Sequence, residues 1–212
     1  MPKVYLSPSN QGANPCKQGD SEKNHCNLLV DALIPYLDAC GILYRRAGAD
    51  ETLASRVKAS NAWHADLHYC IHTNAGGGRR SVLYGWDKTD ADWLKLADAV
   101  KTHRAKIYPN EIRYAQKKTF YEIKQTTAKC MYDEVLFHDH AEDAAFFHQN
   151  LQPLARAIAQ GLCDYFGIPF CEPSKQPAVQ SPCESTQIAS LTARLDAATE
   201  KLRQIAALAT EV

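Results

Sequence analysis

A chain of 212 residues can bury a proper hydrophobic core, enough for one domain of about 170 residues plus an appendage. Its 24 Lys and Arg balance 24 Asp and Glu, so no surplus of cations exists to neutralise phosphates, which argues against nucleic-acid binding. No run of about 18 apolar residues marks a membrane span, and the eight cysteines lie singly without a CxxC pair, favouring reduced core thiols over a zinc ribbon or a disulfide framework.

Lys3 to Leu6 predicts a first strand directly at the N-terminus, with no apolar leader before it, so synthesis in the cytoplasm without a signal peptide is expected. Turn formers from Ser7 to Pro15 end that strand. A helix follows, with Asp20 or Ser21 as N-cap, Glu22 in its first turn and an apolar stripe from Leu28 to Leu37, closed by Gly41. Ile42 to Arg45 predicts a second strand, and Thr52 to Ala62 a second helix. Strand, helix, strand, helix and then strand is the pattern of a parallel α/β sheet.

The third strand is Asp66-Leu-His-Tyr-Cys-Ile-His72, where alternation puts Asp66, His68, Cys70 and His72 on one face and Leu67, Tyr69 and Ile71 on the other. Open α/β sheets bind ligands at the carboxyl ends of their strands, which is where His72 stands. A lone histidine there reads either as a metal ligand or as a core imidazole satisfied by backbone. His68, about 13 Å deeper at roughly 3.3 Å per residue, is too far to share its metal.

Further strands are expected over Ser81–Trp86, Thr119–Ile123 and Cys130–Phe137, and amphipathic helices over 90–108 and 151–166. The expected architecture is therefore α/β, a mostly parallel twisted sheet of about six strands flanked by helices, within a domain over 1–170. Residues 171–184 are rich in Pro, Ser and Gln and read as a linker. Over 185–212, Ile188, Leu191, Leu195, Ala198, Leu202 and Ile205 make a heptad seam, which predicts either a homo-oligomeric coiled coil or a helix folded back on the domain.

Glu22, His72 and Glu134 all fall at corresponding edges of this sheet. Catalytic zinc takes three protein ligands from His and Asp/Glu and leaves a position for water, while a further carboxylate serves as general base. The supply here is sufficient.

Leu6-Ser-Pro-Ser-Asn-Gln-Gly12, Ser21-Glu-Lys23, the Ile71-His-Thr-Asn-Ala75 segment and Tyr132-Asp-Glu-Val-Leu-Phe-His-Asp139 resemble, in order and spacing, the zinc-dependent N-acetylmuramoyl-L-alanine amidases of the type 3 group. The resemblance covers about residues 3 to 169. It implies a Zn2+-dependent hydrolase acting on peptidoglycan, with Glu22 and His72 as metal ligands and Glu134 as catalytic base. It also implies release to the cell wall by a route such as that of a phage or prophage endolysin. Where the family has a first histidine ligand, this chain has Asn10, a weak neutral donor. His25, three residues after Glu22 on the same helix, is the expected substitute ligand, although a surface or supporting role fits it too. Asn10, Gln11 and Asn74 are then the expected substrate contacts, Asn74 also holding the turn behind His72. A zinc exopeptidase of similar fold and a non-catalytic wall-binding pseudoenzyme are the competing readings.

Overall fold

Six strands form one sheet in the computed structural model, which describes residues 1–174 of the chain. They are β1 (Lys3–Pro8), β2 (Leu43–Arg46), β3 (Leu67–Asn74), β4 (Arg80–Gly85), β5 (Glu111–Gln116) and β6 (Lys129–Phe137). Their spatial order is β2-β1-β3-β6-β4-β5. The first three strands and β6 run parallel, whereas β4 pairs antiparallel with β6 and carries β5 parallel beside it. The expectation of a mostly parallel α/β sheet flanked by helices holds. The compact unit spans Met1–Pro173. The expected helix over 185–212, and with it the coiled coil, lies outside the described residues, as does most of the expected linker.

The helices are α1 (Glu22–Ala39), α2 (Leu53–Trp63), α3 (Ala91–Arg104), α4 (Tyr121–Gln125), α5 (Ala141–Gln149) and α6 (Leu151–Phe166). Ser21, Thr52 and Asp90 cap the first three, each side chain accepting from a backbone N–H in the first turn. Helices α1, α3 and α6 cover one face of the sheet, where Leu67, Tyr69, Ile71, Met131 and Val135 are buried with the apolar sides of these helices. Gly161 lets α6 approach α3 closely, since a Cβ there would stand 2.6 Å from Val100 Cα. The opposite face presents Cys70, Cys130 and Tyr132, packed with Ile123 of α4. No helix among the described residues is long and apolar enough to cross a membrane.

Two expectations need correction. Thr119–Ile123 is not a strand but leads into α4, because Phe120 and Ile123, three apart, suit a helical turn as well as an extended chain. The strand beyond β4 is instead β5 at 111–116, an edge strand whose buried apolar content is little more than Ile112. A helix not anticipated from the sequence, α5, follows the turn after β6.

Candidate active site

The loop after β1 returns to the sheet edge through an isolated bridge between Pro15 and Ser21, which sets Glu22 at the first turn of α1 beside the end of β3. There the Glu22 and His72 side chains meet, with Glu22 Oε1 2.8 Å from His72 Nδ1 and both residues buried. Asn14 Nδ2 donates to Glu22 Oε2 at 2.7 Å. Burial alone would raise the Glu22 carboxyl, but the hydrogen bond and charge of His72, with further hydrogen bonds from Asn14 and Ser9, hold it below its ordinary range. The His72 ring stacks on Tyr132 at 4.3 Å, and its Nε2 is buried without a partner.

Glu134 stands opposite His72 in the β3–β6 ladder, so the two side chains leave the same face of the sheet. Burial, the Glu22 carboxylate and Asp133 together push its carboxyl up to about 8, and Oε2 has no hydrogen-bond partner. A carboxyl tuned near neutrality beside an ionised one is the arrangement general base catalysis requires.

The strand holding Glu134 is clamped from behind. Arg104, at the end of α3, donates from Nη1 to both Asp133 oxygens, at 2.6 and 2.7 Å, and from Nη2 to Val135 O at 2.7 Å and Ser81 Oγ at 2.6 Å. Ser81 Oγ in turn donates to Glu134 O at 3.0 Å, and Tyr69 Oη donates to Asp133 at 2.8 Å. Arg104 and Asp133 are fully buried. The residues on both sides of Glu134 are thereby fixed, and with them the direction of its side chain.

Among the other expected site residues, Asn10 and Gln11 line a cleft of about 230 Å³ together with His72, Glu122 and Tyr132. Asn10 Nδ2 donates to Glu51 O at 3.0 Å, leaving its amide oxygen uncommitted, and Gln11 accepts from Asn14 at 2.8 Å. Asn74 lies apart from that cleft lining, and its Oδ1 accepts from Ala75 N at 2.8 Å in a turn-holding role.

His25 does not join Glu22 and His72. Its ring stacks on Phe147 of α5 at 4.8 Å and meets His148 edge-on at 4.6 Å, fully buried, with both ring nitrogens unpartnered. Three residues along a helix turn the side chain by about 300°, which leaves it roughly 60° off in direction. That difference sends Glu22 to β3 and His25 to α5. His138 also serves structure, its Nδ1 lying 2.9 Å from Thr73 Oγ1 and 3.0 Å from Thr73 O. Asp139 accepts from the N–H groups of Gly76 and Gly77, both at positive φ, and so fixes the turn after β3.

Sequence reasoning missed Asn14 and Glu122, and no spacing would have found either. Glu122 bonds to Ser7 Oγ and lies 3.1 Å from His68 Nε2.

The profile of the protein family described as N-acetylmuramoyl-L-alanine amidase matches residues 6–164, three quarters of the chain. The chain belongs to that family. The N-acetylmuramoyl-L-alanine amidases are hydrolases of the peptidoglycan amide bond between N-acetylmuramic acid and L-Ala, and this chain is one of them. A curated relative, N-acetylmuramoyl-L-alanine amidase CwlM of Bacillus licheniformis, is 24% identical over 177 residues, covering 79% of this chain and 70% of the relative. The fold is similar to the catalytic domain of the amidase CwlV from Bacillus (Paenibacillus) polymyxa var. colistinus. That match has a TM-score of 0.66 and 20% identity, over 80% of this chain and 100% of that one. It is also similar to the amidase AmiC2 of Nostoc punctiforme, with a TM-score of 0.67 and 18% identity over 78% of this chain and 97% of that one.

Proposed function

We propose that Glu134 is the general base of the amidase reaction and that Glu22 and His72 hold a zinc ion beside it. The observation that carries this reading is the convergence of three sequence-distant groups: the Glu22–His72 contact at 2.8 Å, and Glu134 across the ladder from His72. The donor chemistry fits a divalent metal, since an ionised carboxylate and an imidazole are ordinary zinc ligands and Glu22 Oε1 and His72 Nδ1 stand 2.8 Å apart. The third position is weak, because Asn10 offers only a neutral amide oxygen at the cleft. His25 is left out of the metal set and assigned to the packing of α1 on α5.

Bound there, zinc supplies Lewis acidity toward the scissile carbonyl and lowers the pKa of a water molecule. Glu134 takes the proton from the attacking water and returns it to the departing amine of L-Ala, the two transfers using the same carboxyl in opposite directions. Tyr132 braces the His72 ring by stacking, and Asn14 holds Glu22 by hydrogen bonding. Asn10 and Gln11 contact the substrate at the cleft wall. Action on the wall in the manner of an endolysin, with several chains joined through the C-terminal heptads, follows from the heptad pattern and from the polymeric substrate, on which multivalency raises effective concentration.

The test pairs wall turbidity with metal content. Glu134→Ala is expected to abolish lysis while zinc is retained, and His72→Ala to lose both. Lysis by the Glu134 variant would overturn the assignment, and wild-type protein that binds wall fragments without cutting them would support the pseudoenzyme.

A further inference from the structure

Strand β3 carries a second group of metal-binding side chains beneath the first. His68 and Cys70 lie on the His72 face, and Glu122 of α4 comes down onto them; His68 and Cys70 are fully buried and Glu122 is 1% exposed. One ligand atom from each lies within 4.8 Å of the other two, a grouping that no other His, Cys, Asp or Glu side chains make among the described residues. His68 Nε2 already stands 3.1 Å from Glu122 Oε1. Zinc bonds of about 2.0–2.3 Å in a tetrahedron separate ligand atoms by roughly 3.3–3.8 Å, so small side-chain shifts suffice to seat an ion. Cys130, outside that grouping, stands opposite His68 in the ladder and lies in the same buried cluster as Cys70.

We propose that His68, Cys70, Cys130 and Glu122 form a closed, thiolate-containing site for a zinc-type divalent cation, separate from the Glu22–His72 pair. Thiolate and imidazole donors select zinc over magnesium or calcium. Burial of His68, Cys70 and Glu122 marks the site as structural, with Glu122 alone of them bordering the His72 cleft.

Charge supports the assignment. Arg56 Nη1 donates to Ser7 Oγ at 3.2 Å, and that hydroxyl bonds to Glu122, so a buried cation sits one residue away from the carboxylate. Metal binding displaces the two thiol protons to solvent, turning two S–H bonds into two metal–sulfur bonds. The dication and Arg56 then balance Cys70, Cys130 and Glu122, and the interior stays neutral overall. The ion would tie α4, only five residues long, to β3 and β6.

The experiment uses full-length protein stripped with a chelator and titrated with cobalt(II), whose thiolate complexes show a charge-transfer absorption in the near ultraviolet. The band is expected in the wild type, lost in Cys70→Ser and Cys130→Ser, and kept in His72→Ala, which loses lysis. X-ray absorption of the zinc-loaded wild type should show a sulfur shell at about 2.3 Å, a result that requires no variant to fold. Absence of both the band and the sulfur shell in the wild type overturns the proposal, as does a band that survives in both serine variants. Loss of lysis in His72→Ala with the band intact separates this site from the catalytic one.

Discussion

Substituting Glu134 by Gln in chelator-stripped protein isolates one carboxyl's effect on stability. Burial, Glu22 and Asp133 raise that carboxyl from 4.5 to about 8, so between those values the folded chain keeps a proton that the unfolded chain has lost. Stability contributed by a raised group is complete below the unfolded value and declines as pH rises toward the folded one. At 1.36 kcal/mol per pH unit the full interval is worth roughly 5 kcal/mol, of which about 1.5–2 kcal/mol falls between pH 6.5 and 8. Urea unfolding at pH 5, 6.5 and 8 should show the wild type losing that amount over the upper interval relative to Glu134→Gln. Parallel losses in the two proteins would show that Glu134 is an ordinary carboxylate and would refute the reasoning.

His25, lowered from 6.5 to about 4 by burial and then by His148, carries the opposite sign: its contribution is lost as pH falls through that range. His25→Phe should therefore flatten the acid side of the urea midpoint profile, by up to roughly 3 kcal/mol. Arg104→Met leaves the buried Asp133 without its counter-charge, with Tyr69 Oη as its remaining partner, and a loss of about 3–5 kcal/mol is expected by urea unfolding; a change below ~1 kcal/mol would discredit the clamp behind Glu134. Asn10→His restores an imidazole at the cleft beside His72, so zinc affinity measured by chelator competition should tighten at least ~tenfold, or about 1.4 kcal/mol. An unchanged affinity would mean that position 10 does not face the metal.

Alternation and capping made most of the architecture legible. The face shared by His68, Cys70 and His72, the cap at Ser21 and the stripe of α6 all follow from patterns of period two or 3.6. That Glu22, His72 and Glu134 fall at one edge of the sheet was readable because each belongs to an element whose direction is fixed by such a pattern, whereas the roles proposed for them came from the family resemblance. His25 was not, because i,i+3 spacing establishes neighbourhood on a helix without establishing where two side chains point. Glu122 and β5 were hidden for a related reason: a five-residue helix and a polar edge strand take their form from what they pack against. The reversal of β4 against β6 depends on strand partners that no local window contains.

Helix α4 is too short to persist by itself and is held over the sheet by Ile123 and Glu122. Excursions of this segment cost less than global denaturation, so amide exchange in residues 121–125 should run ahead of that in β3 and β6. Alkylating reagents would then reach Cys70 and Cys130 through such excursions, whereas Cys26, on the buried face of α1 in the opposite layer, would wait for the whole domain to come apart.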